Sequence, residues 1–96
     1  MSAASGSGSS GTGPGLNVTV YGRPGCHLCA DAVAVVERVR ARIPFTLEQR
    51  DIDADDELLA RYLERIPVVV INGEEAFELF VDERQLELRL SRVQRS

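Results

Sequence analysis

The sequence predicts a single α/β domain whose elements follow the order β-α-β-α-β-β-α. Three observations carry that expectation. Short β-prone runs alternate with segments whose apolar residues have helical spacing. Cys26-His27-Leu28-Cys29 stands between the first such run and the first such segment. The most β-prone run, Ile66-Pro67-Val68-Val69-Val70-Ile71, leads directly into Asn72-Gly73, a strong hairpin signal. Ninety-six residues make one domain at the small end of the range.

The elements follow in order. Residues 1–15 form a Ser/Gly-rich tract without apolar periodicity, which cannot bury enough surface to offset its ordering entropy. It is expected to be a disordered tail, leaving 16–96 as the domain. Residues 17–21 read as the first strand. The first helix is expected over about 26–42, with Cys29, Ala32, Val36, Val39 and Ile43 on one buried face and Pro44 stopping it. Residues 45–51 read as the second strand, Phe45 and Leu47 alternating with polar neighbours. Asp53 or Asp55 then caps a second helix carrying Leu58, Leu59, Tyr62 and Leu63.

The run from Ile66 reads as a fully buried strand that begins at a proline. After the Asn72-Gly73 turn, residues 76–81 are expected to form the fourth strand. Asp82 caps the last helix, with Gln85 at the capping-box position and Leu86, Leu90 and Val93 on the buried face. Leu88 alternates with Leu86 and Leu90 as a strand would, against that helical pattern. The acidic residues Asp51, Asp53, Asp55, Asp56 and Glu57 read as a solvated strand end and helix cap, and Tyr21 and Tyr62 as packing residues.

Composition narrows the function classes. A net charge of -4, with eleven arginines scattered and no lysine, offers no basic patch for nucleic acid. No apolar run approaches the roughly 20 residues that cross a bilayer. The N-terminus lacks the basic start and apolar centre of a secretory signal. A cytoplasmic location is the expectation, and in that reducing compartment two cysteines point to catalysis or metal binding before a structural staple.

A cysteine at a helix start meets unpaired backbone N–H groups and the positive end of the helix dipole, which favour thiolate over thiol. Disulfide exchange needs such a thiolate and a second thiol nearby to resolve the mixed disulfide. The two-residue spacer supplies both, with the first sulfur outward and the second one turn further in. Arg23 and His27 add positive charge beside Cys26, and cysteines so placed have pKa values of roughly 3.5–7.5. His27 is either a mild acid–base aid or an exposed spacer. A zinc site requires about four ligands, and two Cys and one His crowded into four residues do not provide them.

The element order, the Cys-x-x-Cys after the first strand and the Ile-Pro before the third resemble the thioredoxin superfamily. Tyr21-Gly22-Arg23-Pro24-Gly25-Cys26-His27-Leu28-Cys29 is similar to the glutaredoxin pattern, and more narrowly to a group of small bacterial glutaredoxin-like proteins. The resemblance covers residues 16–96 and implies a thioredoxin/glutaredoxin-like fold, with a four-stranded mixed sheet and three helices. It implies Cys26 as the nucleophile, Cys29 as the resolving thiol and a cis Pro67 facing them. It further implies Ile66 as the backbone partner of the bound thiol peptide and Arg23 as a ligand for a glutathione carboxylate. With His27, these residues form the candidate substrate-binding set. The pattern departs from glutaredoxins where a Gly-Gly-x-Asp segment is usual: here stand Asn72-Gly73-Glu74-Glu75 at the turn and Val81-Asp82-Glu83 at the later helix start.

The function so implied is a monomeric thiol–disulfide oxidoreductase of cell redox homeostasis. It would reduce protein disulfides or small-thiol mixed disulfides with no metal and no tightly bound cofactor, using glutathione or a similar low-molecular-weight thiol as co-substrate. The alternative is a non-catalytic thioredoxin-fold module for partner binding or iron–sulfur cluster carriage.

Overall fold

The computed structural model describes residues 15–95. Residues 1–14, which make up most of the expected tail, lie outside the described residues. The elements are β1 (Asn17–Gly22), α1 (His27–Arg40), β2 (Thr46–Asp51), a 3-10 turn (Ile52–Ala54), α2 (Asp56–Tyr62), β3 (Val68–Ile71), β4 (Glu74–Glu78) and α3 (Glu83–Arg95). The strands form one mixed sheet in the order β2-β1-β3-β4. β1 runs parallel to β2 and antiparallel to β3, and β4 is antiparallel to β3.

Alternation along the strands sorts the core into two layers. Val18 and Val20 of β1 and Val69 and Ile71 of β3 face one side, where they pack with Ala32, Val36 and Val39 of α1 and Leu86 and Leu90 of α3. Val68 and Val70 face the other side, against Ile52 of the 3-10 turn and Tyr62 at the end of α2. All four residues of β3 are therefore buried, as a strand covered on both faces requires. Burying each of these large aliphatic side chains contributes about 1.5–3 kcal/mol relative to leaving it in water. Tyr21 and Tyr62 stack with centroids 4.7 Å apart, joining β1 to α2 as packing residues.

Several boundaries differ from the sequence reading. Cys26 caps α1 instead of lying inside it, and the helix ends at Arg40, after which the N–H groups of Arg42 and Ile43 both donate to the Val39 carbonyl. The second strand begins at Thr46, one residue later than expected, and Asp55 is the residue that caps α2. β3 begins at Val68, since Pro67 has no N–H to contribute to a ladder.

The fourth strand is Glu74–Glu78 and not 76–81. The Asn72-Gly73 turn forms as expected, both residues with positive φ (51° and 87°), but strand pairing starts directly after it. Pairing ends at Leu79, whose φ of 68° turns the chain and sends its N–H back to the carbonyls of Arg65 (3.0 Å) and Pro67 (2.9 Å). Leu88 does not make the last segment a strand. It lies on the solvent face of α3, while Leu86 and Leu90 are fully buried. Asp82 accepts from the Gln85 N–H at 2.9 Å, capping that helix.

Candidate active site

The chain leaves β1 at Gly22 and turns over Arg23-Pro24-Gly25 before α1 begins. The Cys26 N–H donates to the Arg23 carbonyl at 3.3 Å, closing the turn. Proline at its second position and a residue with φ of 79°, Gly25, at its third give the pattern of a type II turn. Glycine meets that φ without a Cβ penalty. The turn delivers Cys26 to the N-cap with an extended backbone (φ -88°, ψ 112°).

There the Cys26 sulfur accepts the backbone N–H of Cys29 at 3.1 Å, and the Cys26 carbonyl accepts the Ala30 N–H at 3.1 Å. The two cysteines are joined as a disulfide, their Cα atoms 5.2 Å apart. Their surroundings are unequal. Cys26 is half-buried, whereas Cys29 is only 6% exposed. Behind Cys29 stands Gly22, where a Cβ would come within 3.0 Å of both the Cβ and the Sγ of Cys29. The first turn of α1 carries no acidic residue, so no carboxylate there opposes negative charge on the Cys26 sulfur.

The remaining candidate residues divide between two sides of this pair. The Ile66–Pro67 peptide is cis. Pairing of β1 with β3 reaches Tyr21–Val68, one residue short of Gly22 and of Pro67, and the Leu79 N–H donates to the Pro67 carbonyl at 2.9 Å. Pro67 is fully buried, and the half-buried Ile66 packs with the Ile52–Tyr62 cluster and donates its N–H to the Tyr62 carbonyl at 3.1 Å. His27 is exposed at the first position of α1.

Arg23 lies on the other side. A groove of about 490 Å³ opens there between the first turns of α1 and the end of β2, with both cysteines in its wall. Neither His27, Ile66 nor Pro67 lines it. Arg23, in its lining, pairs with Asp53 at 3.3 Å, both side chains being exposed. The acidic run supplies caps: Asp51 accepts from the Asp53 N–H (2.8 Å), and Asp55 accepts from the N–H groups of Glu57 (2.8 Å) and Leu58 (3.3 Å).

Three features of the site escaped the sequence reading. The close approach of Gly22 to Cys29 depends on the exit angle of β1 into α1. The contribution of Gln49 and Arg50 to the groove depends on β2 being the parallel neighbour of β1. The positive φ of Leu79 carries no sequence signal, since leucine seldom adopts it.

Comparison with known proteins accords with this geometry. The family model described as Glutaredoxin-like domain (DUF836) matches residues 17–91. Among solved structures, protein Ne2328 from Nitrosomonas europaea is 30% identical, with 77% of this chain and 89% of that one covered and a TM-score of 0.68. Protein XcR50 from X. campestris is likewise 30% identical, with 78% and 96% covered and a TM-score of 0.68. A mutant thioredoxin from Halobacterium salinarum, at 20% identity, 82% and 74% coverage and a TM-score of 0.65, shares the fold. No curated protein matches the chain. With a thioredoxin-like fold, a Cys-x-x-Cys disulfide at a helix start and a family match over residues 17–91, the chain belongs to the glutaredoxin-like domain family DUF836.

Proposed function

We propose that this protein is a thiol–disulfide oxidoreductase that works through Cys26, with Cys29 as the resolving thiol. The observation that carries the reading is the unequal placement of the pair: Cys26 at the N-cap and half-buried, Cys29 almost wholly buried behind it. An incoming disulfide meets Cys26 first. In the reduced protein the Cys26 thiolate attacks one sulfur of the substrate, forming a mixed disulfide and expelling the other sulfur as a thiolate, which takes a proton from solvent. Cys29, deprotonated in turn, attacks the Cys26 sulfur. The substrate's second sulfur leaves as thiolate, and the Cys26–Cys29 disulfide remains. Two electrons pass to the substrate, and two equivalents of a small thiol return them.

A protein disulfide or a small-thiol mixed disulfide is the substrate in this reading, and glutathione or a similar thiol is the co-substrate. No tightly bound cofactor, nucleic acid or membrane takes part, and the protein acts as a cytoplasmic monomer. Among the described residues, no helix is long and apolar enough to cross a membrane. On the Pro67 side, the Ile66 N–H is occupied by Tyr62, which leaves the Ile66 carbonyl to meet a substrate amide. His27 is an exposed neighbour of Cys26 and Arg23 a cation beside it.

The test is the reduction potential of the pair, obtained by equilibrating the protein in defined thiol buffers and weighing the two states. A reversible two-electron transition between roughly -120 and -300 mV is expected, the range of catalytic dithiols. Cys26→Ser should abolish turnover, and Cys29→Ser should abolish dithiol chemistry while sparing monothiol exchange. Full dithiol activity in Cys29→Ser, or a pair that stays locked at every poise, would overturn the reading.

A further inference from the structure

β2 and β4 are the outer strands of the sheet, and among the described residues no strand pairs with their outward sides. An open edge invites another strand unless its side chains deter one. β4 carries that deterrent: a second copy laid antiparallel along it about Ala76 would set Glu74 against Glu78. β2 has a different pattern, Thr46-Leu47-Glu48-Gln49-Arg50-Asp51, with every residue exposed except the half-buried Leu47.

The Thr46 N–H donates to the Leu16 carbonyl at 3.0 Å, which fixes the backbone groups that β2 leaves open. Alternate residues of a strand direct their N–H and C=O to opposite sides. Thr46, Glu48 and Arg50 therefore spend theirs on β1, while Leu47, Gln49 and Asp51 direct theirs outward. The side chains alternate too. Leu47 packs into the α1–α3 layer, whereas Glu48 and Arg50, in register with Thr19 and Tyr21, stand on the α2 side.

A second copy offering this same edge can only run antiparallel, about a twofold axis. With the axis at Gln49, Gln49 meets itself and Leu47 meets Asp51 of the second copy, so outward groups face outward groups. Glu48 then lies opposite Arg50 of the second copy, and Arg50 opposite its Glu48, in the closer pairs between the ladder bonds. Moving the axis to Glu48 or to Arg50 would oppose like charges. Within one chain Glu48 and Arg50 meet at 3.7 Å, both exposed, a weakly held contact that leaves each free to turn to a partner.

We propose that β2 is a self-pairing edge, joining two copies of this chain into one continuous sheet through reciprocal Glu48–Arg50 pairs about Gln49. The proposal goes beyond the redox reading, and each copy keeps its own cysteine pair. Six residues a side fall short of the roughly 20–30 of a standard interface, so dilute protein stays monomeric and the dimer forms on concentration. Gln49 also lines the groove that holds both cysteines, so the axis brings the two grooves to one face of the joined sheet.

Sedimentation equilibrium of the oxidised full-length protein, its cysteines closed, reads the association between about 1 μM and about 1 mM. Wild type should pass from monomer toward dimer within that range. Arg50→Glu opposes carboxylates at both charge pairs and should weaken the dimer at least about tenfold, or about 1.4 kcal/mol. Glu48→Arg opposes arginines and should weaken it as much, although it lowers the net negative charge of each copy. The double variant Glu48→Arg with Arg50→Glu restores opposite charges across the axis and should dimerise like wild type. An equal mixture of the two single variants should do the same. Wild type that is monomeric at about 1 mM would overturn the proposal. So would a Glu48→Arg variant that dimerises as well as wild type, or a double variant that fails to recover.

Amide hydrogen exchange locates the contact. The Gln49 N–H should exchange freely in dilute protein and gain protection as the dimer forms, while the Glu48 N–H stays protected throughout. A Gln49 N–H already protected in the monomer would mean that another part of the chain covers the edge. Association without protection at Gln49 would place the contact elsewhere. Either result overturns the proposal.

Discussion

Gly22 and Cys29 share one space: a Cβ at position 22 would lie 3.0 Å from both the Cβ and the Sγ of Cys29. The end of β1 is thus the wall against which the buried sulfur rests, and the pairing of β1 with β3 stops one residue short of it, at Tyr21–Val68, next to the cis-proline. One glycine couples the strand exit, the disulfide and the cis-proline segment.

Gly22→Ala should therefore destabilise the protein through overpacking. The φ of Gly22 lies outside the left-handed region, so the cost is steric, and the neighbouring atoms belong to a side chain anchored at both ends by the disulfide. A loss of about 1–3 kcal/mol is expected for the oxidised form, read as a lower urea midpoint with an unchanged slope. The loss should shrink on reduction, when Cys29 is free to rotate away. A wild-type midpoint in the oxidised variant would show that the strand end yields without cost.

Leu79 holds a φ of 68° with its side chain 48% exposed. A leucine there carries the left-handed penalty of about 1–2 kcal/mol and recovers little of it by burial. Leu79→Gly should match or exceed wild-type stability, and Leu79→Ala should be less stable than Leu79→Gly by about 1 kcal/mol. That order reverses the one found in regular helix or strand. Thermal unfolding of the three proteins decides it, and alanine ranking above glycine would mean that the backbone relaxes at this position.

The same residue shows where sequence legibility ended. Local signals sufficed for most of the chain: the proline and glycine before Cys26, the aspartates at the helix starts, the Asn-Gly turn and the valine run of β3 each act on their own neighbours. The fourth strand was misplaced because its end is set at long range, by the carbonyls of Arg65 and Pro67 drawing in the Leu79 N–H. The segment from Ala76 to Val81, apolar except for Glu78, reads as one strand, yet Phe80 is exposed and Val81 belongs to the α1–α3 core. The cysteines were legible as a pair at a helix start. The groove beside them was not, since it depends on which strand lies parallel to β1.

The α1–α3 contact carries an acid-sensitive clamp. Glu83 accepts from Arg38 (3.0 Å) and Arg42 (2.8 Å), and Arg42 also reaches Glu87 (2.6 Å). Hydrogen bonds from Arg42 and then Arg38 hold the Glu83 carboxyl below its ordinary value of 4.5. A carboxylate whose pKa is lower in the folded state stabilises the fold fully above the unfolded value and loses that contribution as pH falls through the folded value. Glu83→Gln should thus be less stable than wild type at about pH 7, with the gap closing below about pH 4.5. The groups are exposed, so the gap should be modest and narrow further in high salt. Urea midpoints of both proteins across this pH range test it, and a gap that widened on acidification would contradict the assignment.

The N-cap position of Cys26 makes a prediction for the reduced protein. Its sulfur already receives the Cys29 N–H at 3.1 Å, at the positive end of a helix of 14 residues with no acid in its first turn. A thiolate gains from each of these more than a thiol does, because the donor and the dipole act on charge. Cys29, nearly buried and donating its N–H outward, has no such support. The two sulfurs should consequently titrate apart: Cys26 in the roughly 3.5–7.5 range of activated cysteines, and Cys29 well above it. Thiolate absorbance against pH in Cys29→Ser and in Cys26→Ser resolves the two. Alkylation of the reduced wild type near neutral pH should label Cys26 first by a wide margin. If Cys29 were labelled first, the buried sulfur would be the nucleophile and the order of the two attacks would have to be exchanged.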